Sequence, residues 1–130
     1  MKITNQSFFI PAELKPLALL AIKEIKTDAC PYSIWAASQG VVLGKVLEEG
    51  MVGWRYCPRN DNKQNVVGLI FLGDRLLDDE ILFRVLARYV QDGSYLDISA
   101  SEGKWRWSFQ NGQMFWEPYG LLIDQVQEKW

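Results

Sequence analysis

The chain has 130 residues, with 14 Lys and Arg against 16 Asp and Glu, a formal net charge of −2. That balance gives no basic excess for a nucleic-acid backbone and no acidic tail for a basic partner, so nucleic acid is not expected as a ligand. The sequence contains no histidine, which removes Ser-His-Asp and Cys-His catalysis, His metal ligation and His pH switching.

The composition is 48% hydrophobic and 23% charged, ordinary for a globular protein, and the length suits a single domain spanning 1–130. No window reaches the 18 consecutive apolar residues of a transmembrane helix, and the N-terminus lacks a basic-then-apolar leader. A cytoplasmic protein with no membrane association is therefore expected. Cys30 and Cys57 stand without a CxxC or metal-ligand spacing, so both are expected as free thiols, with no metal and no cofactor.

In chain order, residues 1–10 form a first strand. Pro11 suits the first position of a helix, whose apolar face collects Leu14, Leu17, Ala18, Ala21, Ile22 and Ile25. Residues 27–37 are a connection carrying Tyr32, Ile34 and Trp35. Ser38 is placed to cap a second helix with Val42, Leu43, Val46 and Leu47 on its apolar stripe and Gly50 as its stop. Gly40 and Gly44 share a face of that helix, which points to a close backbone approach there.

Residues 51–57 and 66–72 read as two strands joined by a polar turn. The second is apolar at nearly every position, as a strand central in a sheet would be. Asp78 or Asp79 then caps a helix that buries Ile81, Leu82, Val85, Leu86, Tyr89 and Val90. The tail from Gly120 to Trp130 reads as a docked helix or as a continuation of the last strand.

Gly93 to Tyr119 is the most informative stretch. Asn111-Gly112 is a type I′ hairpin signal, because both residues tolerate φ > 0. A two-residue loop there sets Gln110 against Gln113, Phe109 against Met114, Trp107 against Trp116 and Arg106 against Glu117. A turn around Glu102-Gly103 sets Ala100 against Trp105, Ile98 against Trp107 and Leu96 against Phe109. The resulting meander has a dry face of Leu96, Ile98, Ala100, Trp105, Trp107, Phe109, Met114 and Trp116. Its polar face holds Tyr95, Asp97, Ser99, Lys104, Arg106, Ser108, Phe115 and Glu117.

The order β-α-(α)-β-β-α-β-β-β predicts an α+β fold with a mostly antiparallel sheet. The arrangement expected is a split βαβ, or ferredoxin-like, unit extended by the C-terminal meander.

These residues resemble a family of small bacterial and phage-type proteins. The likeness lies in Phe9-Ile10-Pro11-Ala12-Glu13, in Gly50 and Trp54, and in Tyr89-Val90 with Asp92-Gly93-Ser94-Tyr95-Leu96. It continues through Glu102-Gly103 and Trp105-Arg106-Trp107. Where relatives read GEDG before the last motif, this chain has Ser101-Glu102-Gly103, one acidic residue short. The resemblance supports the fold and implies no activity.

Among candidate sites, the meander's Trp and Phe residues read as core, because their alternation puts them on the dry face. Asp74, Asp78, Asp79 and Glu80 read as helix capping and not as a metal site. Residues 59–63 read as a solvated hairpin tip. What remains is Tyr95, Arg106, Phe115, Glu117 and Tyr119, aromatic rings edged by charge on a sheet face with no core to enter. They are the candidate binding residues, with no catalytic residue assigned, and Glu117 is the expected ion partner of Arg106.

The function expected is a non-enzymatic binding protein that meets a protein partner, a small ligand or a second copy as a homodimer. Bacterial or phage conflict proteins (inhibitors, immunity and sequestering proteins) supply the analogy. The alternative is a small enzyme using carboxylate, Tyr or Lys chemistry on a nucleotide-like or other small substrate.

Overall fold

In the computed structural model, residues 1–25 and 44–118 are described. The fold is α+β, and the described residues form a four-stranded antiparallel sheet, a two-stranded sheet and three α-helices. Strand β1 (Lys2–Ser7) leads through a 3-10 turn (Ala12–Leu14) into α1 (Lys15–Lys23). Past residues 26–43 come α2 (Leu47–Val52), β2 (Tyr56–Asn60) and β3 (Val66–Phe71). Then follow α3 (Asp79–Leu86) with a 3-10 extension (Ala87–Tyr89), β4 (Tyr95–Ala100), β5 (Gly103–Gln110) and β6 (Gln113–Glu117). The large sheet runs β1-β4-β5-β6, so β6 is one edge.

The β5–β6 register is the one the Asn111-Gly112 turn predicts: Trp107 opposes Trp116 and Arg106 opposes Glu117. Asn111 (φ 54°) and Gly112 (φ 75°) both take the left-handed conformation that a type I′ turn requires. The β4–β5 register differs from expectation by two residues. Ala100 pairs with Gly103, Ile98 with Trp105, Asp97 with Arg106 and Leu96 with Trp107. Gly103, at φ 136°, starts the strand instead of lying in the turn, so the loop is only Ser101-Glu102. Because the slip is even, every side chain keeps its face.

Leu96, Ile98, Trp105, Trp107 and Phe109 are accordingly buried, while Ala100 and Met114 pack against them from the edge. Trp116 keeps that face, opposite Trp107, but is 53% exposed instead of buried, because β6 is the edge strand among the described residues. Phe83 on α3 is the hub of the core. Its ring lies 5.0 Å from Tyr56, 5.1 Å from Trp107, 6.1 Å from Phe8 and 6.4 Å from Phe109. The buried stripe of α3 is Asp79, Leu82, Phe83 and Leu86, turned from the face expected, with Ile81, Val85 and Tyr89 only half-buried. In α1 likewise Ala18, Leu19 and Ile22 are buried and Leu17 is exposed.

Three further expectations are corrected. Met51 and Val52 finish α2, Trp54 and Arg55 close turns onto Met51 and Val52, and the strand begins only at Tyr56. Gly50 is inside α2, not its stop: a Cβ there would lie 2.8 Å from Leu19 Cδ1, so this glycine permits α1 and α2 to approach. Gly44 is outside the helix, with its carbonyl accepting from Lys23 Nζ. The residues 27–37, Ser38, Gly40, Val42, Leu43, Tyr119 and the tail lie outside the described residues.

Finally, β3 is not central in the large sheet. Among the described strands it pairs with β2 alone, and β1 meets it through the Gln6 side chain, whose amide donates to Leu69 O (3.0 Å) and accepts from Leu69 N (2.8 Å). That side chain satisfies backbone groups which a ladder to β1 would have used. Just past β1, Ile10 also forms an isolated antiparallel bridge with Val66 of β3.

Candidate functional site

The polar face of β4–β6 is built around a cross-strand ion pair. Asp97 and Arg106 are directly opposed. Arg106 Nε donates to Asp97 Oδ1 at 2.6 Å and its Nη2 to Oδ2 at 3.0 Å, the two-pronged geometry that makes Arg–carboxylate pairs strong. The guanidinium lies over the Tyr95 ring, 4.0 Å from its centroid, and Tyr95 Oη accepts from Asn5 Nδ2 on β1 at 3.3 Å. Asp97 is almost fully buried whereas the Arg106 side chain is one-quarter exposed, so the pair presents its cationic, planar end to solvent.

Around this pair lies an open depression of about 480 Å³. Tyr95, Arg106, Phe115 and Glu117 all line it, joined by Ser108 and Gln110. Four of the five residues singled out from the sequence therefore meet in one place, and the fifth, Tyr119, is outside the described residues. Phe115 is 46% exposed on this face. Glu117 opposes Arg106 in register but accepts from Ser108 Oγ at 3.3 Å; the bidentate partner of Arg106 is Asp97. Asp97 was not among the predicted site residues, because the expected β4–β5 register sets it opposite Ser108 instead.

A second Arg–Asp pair lies in the core. Arg55 takes a left-handed conformation (φ 71°) that points its guanidinium at Asp79, with Nη2 to Oδ1 at 2.6 Å. Tyr56 Oη donates to the other oxygen at 2.5 Å, and Leu77 N donates to Oδ1 at 3.2 Å. Burial pushes the Asp79 carboxyl above the ordinary Asp range, and the Tyr56, Arg55 and Leu77 donors offset that only partly. Of the expected capping cluster, Asp78 occupies the N-cap position of α3 without a side-chain cap bond, and Asp79 turns inward as a structural group. The sequence carried a signal for this, since Asp79 falls on the same helical stripe as Leu82, Phe83 and Leu86.

On the other face of β5–β6, Trp105, Trp107 and Trp116 line a cleft of about 340 Å³ beneath the segment leading into α3. The indole N–H groups of Trp105 and Trp107 are buried and have no acceptor among the described residues. Leu76, Leu77 and Ile81 line it too, with Asp78, Glu80 and Glu102. Ser101 Oγ donates to Glu102 at 2.7 Å, and that bond, with the Glu102 backbone N–H, holds its carboxyl below the usual range. A larger depression of about 700 Å³ lies between α1 and α2, next to the Lys15–Glu48 ion pair. Among the described residues no group of three or more His, Cys, Asp and Glu is placed to hold a metal ion, and no helix is long and apolar enough to cross a membrane.

Fold and site thus define an α+β protein with an aromatic, charge-edged depression on an antiparallel sheet, beside β6, an edge strand among the described residues. Comparison with protein-family models, with curated proteins and with solved structures finds no match.

Proposed function

We propose that this chain is a non-enzymatic binding protein whose contact surface is the outer face and free edge of β4–β6. A second copy of the chain is the partner that this surface fits first. The observation that carries the reading is the pair of neighbouring exposed aromatics on an edge strand: Phe115 on the outer face and Trp116 on the other. Edge strands that display long apolar side chains and carry no protective charge at their centre are templates for pairing.

The register supplies the geometry. The two-residue turn makes Gln110–Gln113 a hydrogen-bonded pair, so Gln113, Phe115 and Glu117 direct their backbone groups toward β5. Met114 and Trp116 direct theirs outward. A two-fold axis through Phe115 would pair Met114 with the second copy's Trp116 in the hydrogen-bonding positions. Phe115 would face its own counterpart at the closer, non-hydrogen-bonded spacing, where aromatic cross-strand pairs contribute most. Both exposed rings would be covered, in an isologous contact that closes on itself. Arg106, already paired and stacked, would rim the contact without leaving an unpaired charge.

Sedimentation velocity tests this directly. The parent chain is expected to shift from monomer to dimer as concentration rises, and Phe115→Lys is expected to remain monomeric at every concentration. A parent that stays monomeric at several hundred micromolar sinks the second-copy reading. A thermal-shift panel of linear and cyclic nucleotides addresses the enzyme alternative: stabilisation by a nucleotide that Phe115→Lys leaves intact would move the function away from this surface.

A further inference from the structure

We propose that the depression between α1 and α2 binds a small amphiphilic carboxylate of the medium-chain fatty-acid class. It shares no lining residue with the outer face or the edge of β4–β6, and the inference does not rest on self-association. Its shape follows from the spacing of α1. Lys15, Leu19 and Lys23 fall on one i,i+4 row, with Pro16 and Leu20 on the next. The row sets an apolar stretch between two cations, about 12 Å apart along the helix axis at about 1.5 Å per residue. Leu19 and Leu47 are buried and make the floor. Leu20, 55% exposed, and Val46, 49% exposed, are apolar walls open to solvent.

The charge is distributed unevenly along that groove. Three lysines line it against one carboxylate, Glu48, which leaves two positive charges. Glu48 is already engaged at one end, where it pairs with Lys15 and accepts from Asn60 Nδ2 at 3.0 Å. At the other end Lys23 donates to Gly44 O, and Lys45 is exposed. Neither has an ion partner among the described residues. The occupant must therefore bring a negative head for Lys23 and Lys45 and an apolar body for Leu19, Leu20 and Val46. A fatty-acid anion has both, and the extended chain of decanoate spans the distance from Lys23 to Lys15. The volume, about 700 Å³, is that of a small-molecule site. A sugar phosphate would satisfy the lysines and leave the apolar walls bare.

The test is a titration of the full chain with sodium decanoate below its micelle concentration, at low and constant ionic strength. It is followed by the methyl resonances of Leu19, Leu20 and Val46. Decyltrimethylammonium, with the same tail and the opposite head, and acetate, with the same head and no long tail, are the counterparts. Decanoate is expected to shift all three residues saturably and to bind at least about tenfold more tightly than either counterpart. Lys45→Glu, at an exposed residue without an ion partner, is expected to weaken decanoate about tenfold while the methyl resonances of the core stay in place. Leu20→Asn is expected to weaken it several-fold. Equal affinity for decyltrimethylammonium, equal affinity of Lys45→Glu and the parent, or shifts that grow without saturating overturns the proposal. Shifts at Leu20 and Val46 that track protein concentration instead of decanoate would give the groove to a second copy of the chain and overturn it equally.

Discussion

The molecule uses the same two side chains twice, for different ends. Arg55–Asp79 is buried on both sides, and the carboxylate divides its oxygens between Arg55 and Tyr56. Arg106–Asp97 is buried at the carboxylate only, and the acid gives both oxygens to one guanidinium. The first pair ties the turn after α2 to the start of α3 and has no face left for a ligand. The second fixes a planar cation on a tyrosine ring at the surface, held in place before anything binds. Position in the fold, and not residue type, separates a structural pair from a poised one.

The comparison can be broken from its buried side first. Asp79→Ala removes the buried carboxylate that accepts from Arg55 Nη2, the Tyr56 hydroxyl and the Leu77 N–H. Urea denaturation is expected to show a loss of about 3–5 kcal/mol. The pH dependence has a definite sign. The folded-state pKa of Asp79 lies above its unfolded value, so its stabilising share is whole below the ordinary Asp range near pH 4. That share drains away as pH rises through the folded pKa. The stability advantage of the parent over Asp79→Ala is thus expected to shrink from acid toward neutral pH; an advantage that grows over that range would contradict the burial argument.

Trp107→Ala tests the packing between the two pairs. Trp107 is buried between Leu96 and Trp116 across the strands and against Phe83 beneath. Its truncation is expected to cost about 3–5 kcal/mol in the same assay, and a loss under about 1 kcal/mol would show that the core closes without it.

The surface pair should be cheaper to break. Arg106→Ala strands Asp97, but one-quarter of the Arg106 side chain already meets water. The expected loss is about 1–3 kcal/mol, and it should exceed that of Arg106→Lys, which keeps the charge without the fork. A loss equal to that of Asp79→Ala would erase the distinction between the two pairs. Smallest of all, Phe115→Lys should change monomer stability by no more than about 0.5 kcal/mol, because the ring is half exposed and faces away from the core.

Much of this was legible in the chain, and the failures have causes. Asn111-Gly112 specifies its turn through backbone conformation alone, so the β5–β6 register could be read without any tertiary information. Ser101-Glu102-Gly103 admits two turn centres, and the alternation of apolar residues cannot choose between registers that differ by two. That ambiguity hid the Asp97–Arg106 pair while leaving the faces right. The missed parts depend on contacts distant in sequence. Gln6 takes a backbone role against Leu69, Asp79 is drawn inward by Arg55, and Gly50 admits Leu19; no local pattern announces any of these. Trp116 was assigned to the core by parity, yet parity does not say where a sheet ends.

The central claim, that the free edge of β6 is where this protein meets its partner, rests on which backbone groups face outward. Amide hydrogen exchange resolved by residue, at low and high protein concentration, reads those groups one by one. The account predicts that the Met114 and Trp116 amides exchange more slowly as concentration rises, while those of Gln113 and Phe115, already bonded to β5, keep their rates. Exchange at Met114 and Trp116 that is independent of concentration would contradict it.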